Sequence, residues 1–207
     1  GIQTPASIAS ALASPDAESP FPGDATLVHS EFRIAATAAG ALEAAVAYAG
    51  QNGFKAINLG DQVEGIASVL ASDHAKIFEK ELREQPDKKG LALLSGGEAT
   101  VALHGPGKGG PNQEYLLALA IALDGRPDVF AIAADTDGID GASEAAGAVI
   151  TPDTLARAAG LEMNPREYLA RNDAGSFFGQ LGDLIVTGPT CTNVNDFRAI
   201  AYIPRRG

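Results

Sequence analysis

Short apolar runs separated by helical patterns constrain this chain more than any other feature. FKAINL (54–59) and DVFAIAAD (128–135) are continuous apolar stretches of strand length, and GLALLSGGEATVALHG (90–105) holds two more around a Gly-Gly pair. Runs this short and apolar read as buried strands. Between them the period changes. Ala35, Ala39, Leu42, Val46 and Ala49 fall on one face of a helix expected within 31–49, and Ile66, Leu70, His74, Phe78 and Leu82 form an i,i+4 row within 63–85. A third helix is expected from Asn112 to about Leu123. Strands alternating with helices point to an α/β fold, here a three-layer α/β/α arrangement. Ser95-Gly96-Gly97-Glu98 between two β-type runs reads as a hairpin, which makes the sheet mixed.

The remaining segments fill this frame. TLVHS (26–30) reads as a first strand, and GAVIT, DLIVTG and FRAIAYI as later ones. PDTLARAAG (152–160) opens with Pro152 and closes on Gly160, the usual helix asymmetry, and NDAGSFFGQLG (172–182) reads as another helix. His74 stands in an apolar row and reads as a core histidine. Residues 1–24 carry four prolines among Ser, Ala and Asp and read as a linker, with residues 25–207 as one α/β domain. The chain begins with Gly1, so either a processed or removed start or a piece of a longer protein is expected.

Composition narrows the partners. The 207 residues are 45% hydrophobic with a formal net charge of −11. A field of that sign repels nucleic acid and anionic lipid, so neither nucleic acid nor membrane is an expected partner. An anionic substrate would need a local cluster of cations or an intervening Mg²⁺. Cys191 is the only cysteine, which excludes an intrachain disulfide and suggests the cytoplasm. The longest apolar run, Leu116–Leu123, falls well short of the ~20 residues that span a bilayer.

Three loops carry candidate chemistry. Gly105, Gly107 and Gly110 spell G-x-G-x-x-G, yet the preceding run alternates polar and apolar residues and Asp135 arrives late for a ribose contact, so a dinucleotide fold is not indicated. The loop still offers backbone N–H groups, a helix N-terminus and Lys108, together an expected anion seat. It is no Walker A loop, because G-x-x-x-x-G-K-[ST] is absent. DTDGIDG places Asp135, Asp137 and Asp140 just past a buried strand, where hard oxygens can hold Mg²⁺ or simply cap a turn. TGPTCTNVND (187–196) gathers hydroxyls and amides that bind either a polyhydroxy ligand or their own backbone.

Taken in order, LSGGEATV, GKGGPNQE, ADTDGIDG, NDAGSFF and GDLIVTGPTCTNVND make the chain similar to the glycerate 2-kinase family, specifically its C-terminal MOFRL region, over about residues 90–200. Members of that family also carry the older name hydroxypyruvate reductase. The resemblance implies a two-domain α/β enzyme that transfers the γ-phosphoryl group of ATP to the 2-hydroxyl of D-glycerate with Mg²⁺. The active site would lie in a cleft against an N-terminal domain that these 207 residues lack, leaving the piece alone inactive; a homo-oligomer is left open. It implies that Gly96, Gly97, Glu98, Lys108, Asn112, Gln113, Glu114, Asp135, Asp137, Thr190, Asn193 and Asn195 line that cleft. Lys108 would neutralise an anion, and Asp135 or Asp137 would hold the metal or accept the hydroxyl proton. Two rival readings are an NAD(P)H-dependent hydroxypyruvate reductase and a non-catalytic domain that binds a small hydroxy acid. Pro111 stands where many members have arginine, which removes a bidentate anion donor, and Cys191 stands where glycine is common.

Overall fold

The computed structural model describes residues 4–85 and 90–204; residues 1–3 of the expected linker lie outside the described residues. Contacts divide the chain into two units at Ala35/Ala36. The first holds α1 (Ala6–Leu12) and two single-turn 3₁₀ segments, Pro15–Ala17 and Ala25–Leu27, and none of its described residues is buried. The strand expected over 26–30 is therefore a turn. Asp24 Oδ1 accepts both the Thr26 N–H (2.8 Å) and its hydroxyl (2.7 Å), the local bonding by which Asx residues divert backbone from a ladder.

The second unit is the α/β body. Its helix α2 (Ala38–Gln51) starts later than the alanine pattern suggests, because Thr37 Oγ1 accepts the Gly40 N–H and fixes the N-cap there. β1 (Phe54–Asn58), β2 (Gly65–Ile66), α3 (Ala67–Glu84), β3 (Gly90–Gly97), β4 (Ala99–Thr100), α4 (Pro111–Leu123) and β5 (Val129–Asp135) follow. Then come β6 (Gly147–Ile150), α5 (Thr154–Gly160), α6 (Pro165–Ala170), α7 (Ala174–Leu181), β7 (Leu184–Ile185) and β8 (Asp196–Tyr202). Helix α6 is absent from the sequence reading.

Six strands form one sheet in the order β1-β3-β8-β5-β6-β7. β1 and β3 run parallel, and the other four pairings are antiparallel. The sheet is mixed as expected. β3 is buried along its whole length. Its Leu91 and Leu93 join the main core with α3 and α4, while Gly96 on the alternate face lies under Leu42 of α2. This gives the three layers.

The expected hairpin at Ser95–Glu98 does not form. β3 runs through Gly97, and Ala99–Thr100 instead pairs in parallel with Gly65–Ile66 as a separate ribbon. The glycines serve a crossing: a Cβ on Gly97, which has φ +105°, would lie 2.4 Å from Val63 N. Helix α4 runs through the core, with Tyr115, Leu116, Leu117 and Leu119 each at most 1% exposed. A helix apolar all round is a buried one, and each such side chain contributes ~1.5–3 kcal/mol.

Candidate functional site

The sheet register brings three motifs to one end. The last residues of β3 and β5 and the first of β8 place Gly97, Asp196 and Asp135 side by side. Above them a cavity of about 220 Å³ is lined by Glu98, Asp135, Asp140, Asn193, Asn195 and Asp196, with Ala99, Pro111 and Gly141 completing the wall. No basic side chain is among its lining residues. Burial raises Asp135 above the usual carboxylate range, and the charges of Asp137 and Asp196 push the same way against the N–H that Asp137 donates. Burial also lifts Asp140 to about 6.

The glycine loop is filled by the protein itself. A Cβ on Gly105 or Gly107 would meet backbone of Arg171 and Asn172 within 2.7 Å, and one on Gly110 would lie 2.1 Å from the Asp140 carbonyl oxygen. Close loop-to-loop packing therefore accounts for the glycines of the G-x-G-x-x-G match. Asp140 Oδ1 accepts the Asn112 N–H (3.0 Å) and Oδ2 the Gln113 N–H (2.9 Å). The expected anion seat at the start of α4 is thus occupied by the chain's own carboxylate, which corrects that part of the sequence reading. Asn172 Oδ1 accepts the His104 and Gly105 N–H groups, and its Nδ2 donates to Ala102 O and Glu114 Oε2.

The Lys108 backbone is held by Asp173 Oδ1 and by the Gly175 N–H. Its side chain is exposed and lines a different cavity, about 570 Å³, with Ser143, Glu144, Gly175 and Ser176. Glu98, Asp135, Asn193 and Asn195 therefore come together, and Lys108 does not join them. Gly96 and Gly97 lie beneath the Asp61–Val63 crossing. Asn112 is buried and donates to Asp140 Oδ1 (3.2 Å) and Asp196 Oδ1 (2.6 Å). Gln113 is buried beneath Gly175, and Glu114 is raised by burial despite the bond from Asn172.

The acidic and threonine loops interlock. Asp137 Oδ1 accepts the Ile139 N–H, and the Thr190 hydroxyl donates to Thr136 O at 2.5 Å while its N–H donates to Asp137 O. Asp196 and Arg198, both buried, belong to this end of the sheet without being singled out by the sequence motifs. A signal was available, since alternation in DFRAIAY sets Asp196, Arg198 and Ile200 on one inward face.

The cavity offers carboxylate and amide oxygens, the donors a hard cation prefers. Among the described residues no three His, Cys, Asp or Glu side chains converge as a metal site. Of the two aspartates expected to hold a metal, Asp135 lines the cavity and Asp137 does not, so a hard cation such as Mg²⁺ would have Asp135 as a protein contact there and would rely on ligands from outside the chain for the rest of its shell. Among the described residues no helix is long and apolar enough to cross a membrane.

The fold and this cavity define a three-layer α/β domain with an acidic, oxygen-lined cavity at one end of its sheet; a second cavity of about 240 Å³ borders the glycine loop at Gly107, Gly109 and Gly110. Residues 91–196 match the model of the MOFRL family, and the chain belongs to that family. A protein of Agrobacterium vitis provisionally named hydroxypyruvate reductase is 46% identical over 176 residues, covering 84% of this chain and 46% of that protein. The D-glycerate 2-kinase of Thermotoga maritima is 42% identical over 118 residues, covering 57% of this chain and 28% of the kinase. A crystal structure of glycerate kinase from Thermotoga maritima superposes with a TM-score of 0.77 at 35% identity, covering 84% of this chain and 42% of that one. The chain thus spans less than half the length of these relatives.

Proposed function

We propose that this domain forms one wall of the active site of a glycerate 2-kinase, which transfers the γ-phosphoryl group of ATP to the 2-hydroxyl of D-glycerate, with the other wall supplied by an N-terminal domain. The observation that carries this reading is the meeting of Glu98, Asp135, Asn193 and Asn195, from three separate motifs, in one cavity at the sheet's end. Phosphoryl transfer asks a protein mainly to position groups and offset charge. When bound, Mg²⁺ would neutralise the phosphate charge that this acidic wall otherwise repels. Asp135, already drawn toward its protonated form by burial and like charge, suits the role of accepting the hydroxyl proton. The Asn193 and Asn195 side chains border the same cavity and would orient the hydroxy acid.

The test is to incubate the full-length protein with D-glycerate and Mg·ATP and detect 2-phosphoglycerate by coupling to enolase. A parallel reaction follows NADH loss with hydroxypyruvate. 2-Phosphoglycerate without NADH oxidation is the expected outcome. NADH oxidation without phosphorylation would sink the kinase reading in favour of the name carried by the Agrobacterium relative. Binding of glycerate with neither reaction would mean a non-catalytic hydroxy-acid domain.

A further inference from the structure

Arg198 is 1% exposed and Asp196 7%, and the two form a buried ion pair through Nη2 and Oδ2. The pair sits two residues apart on one face of β8, directly below the acidic cavity that Asp196 lines. Groups from β3, β4 and α4 hold it. Arg198 Nη1 donates to Gly96 O at 3.3 Å, and the guanidinium lies 5.5 Å from the centroid of the Tyr115 ring. Tyr115 Oη in turn shares a 2.9 Å hydrogen bond with His74 Nδ1. On the carboxylate, Oδ1 accepts from Asn112 Nδ2, and Oδ2 accepts the Ala99 N–H at 3.2 Å as well as Arg198. A carboxylate has about four lone-pair sites, so these three donors leave one for the cavity.

A buried ion pair is weak as a stabilising device, since well-packed apolar replacements often leave stability unchanged or raised. A pair that ties β3, β8 and α4 together and ends on a cavity wall has a different use. We propose that Asp196 is a further residue of the candidate site and that Arg198 is its positioning residue, fixing the carboxylate beside Asp135 against the bound substrates. This rests on the kinase reading given above. Asn112, bonded to both Asp196 and Asp140, carries the same alignment across to the second carboxylate of the cavity.

The experiment compares the full-length wild type with Asp196→Leu/Arg198→Met, which replaces both charges by apolar side chains, and with Arg198→Lys, which keeps the charge and loses the fork. Thermal midpoints and 2-phosphoglycerate formation are measured for each. The expected result is a double variant that stays folded but loses at least ~100-fold in kcat, the scale of a 1 Å misplacement. Arg198→Lys is expected to lose kcat with KM for ATP little changed. A folded double variant with wild-type kcat would overturn the role of the pair and leave the kinase reading intact. If the double variant does not fold, Arg198→Lys decides, and wild-type kcat there overturns the proposal. A wild type that makes no 2-phosphoglycerate overturns the kinase reading and this proposal with it.

Discussion

His74 offers a stability test whose sign can be worked from its surroundings. It is 5% exposed, bonded to Tyr115 and near the Arg198 guanidinium. Burial first, and Arg198 second, lower its pKa from 6.5 to about 4, while Asp73 pulls weakly the other way. The unfolded chain therefore takes up this proton before the folded one, and acid drives unfolding. The contribution is fully present above pH 6.5 and is lost as pH falls toward 4, a difference of ~3 kcal/mol. Asp140 works in the opposite direction. Its folded pKa of about 6 lies above the ordinary 3.8, so the folded state binds its proton first and gains ~2 kcal/mol between pH 6 and pH 4. In the wild type the two slopes largely offset each other.

His74→Gln removes one slope and exposes the other. Urea unfolding followed by far-UV circular dichroism between pH 7 and pH 4 gives the stability of each chain. At pH 7 the variant should be the less stable of the two, having lost the packed ring. On acidification that gap should close or reverse, moving by ~3 kcal/mol. Asp140→Asn should move the gap the other way. A wild-type-to-His74→Gln gap that stays constant within ~0.5 kcal/mol across this range would refute the account of His74 as a neutral, desolvated core histidine.

Gly97→Ala places a methyl 2.4 Å from Val63 backbone at φ +105° and should cost ~3 kcal/mol or more, read as a lowered urea midpoint or an insoluble chain. Asn172→Ala removes the partners of the His104 and Gly105 N–H groups; it should cost ~2 kcal/mol and speed hydrogen exchange at those two amides specifically. Pro111→Arg adds a cation to a cavity wall that has none; the KM for D-glycerate should fall by about tenfold, the effect of ~1.4 kcal/mol, and an unchanged KM would mean that this position does not face the substrate.

The layers were legible because burial is written locally. DVFAIAAD and FKAINL are strands as read, but β5 is buried only at alternate residues, with Phe130 exposed, and β1 is no more than half-buried, while NQEYLLALAIAL flanked by Pro111 and Asp124 is the buried helix. Pairing was less legible, since periodicity describes a strand and not its neighbour. Gly96-Gly97 carries a hairpin signal, yet its cause is the Asp61–Val63 segment crossing above it. The site was readable as a set of loops that share one end of the sheet. Its internal wiring was not: Asp140 caps a helix that begins 29 residues earlier in the chain, and Asp196 meets Asn112 across 84 residues. Lys108, placed with the carboxylates by motif order, faces a different cavity because its backbone is tied to Asp173 and Gly175.

That separation has a consequence for how an acidic domain handles an anionic substrate. The helix dipole at the start of α4 is already used by Asp140, so it cannot also hold a phosphate or a glycerate carboxylate. The buried guanidinium of Arg198 is likewise committed to Asp196. Lys108 lines a cavity with Gly109 and Ala142, whereas Pro111 and Gly141 line the carboxylate cavity, and a third cavity touches all four. Of these three positive groups, then, two are committed within the chain and the third lines a different cavity. On the kinase reading proposed above, anion binding at this cavity would therefore call for a group from outside the wall, either a divalent cation on the carboxylates or a basic side chain from a second domain. Pro111, which lines this cavity, adds no charge to it, so on that reading the wall itself supplies no cation.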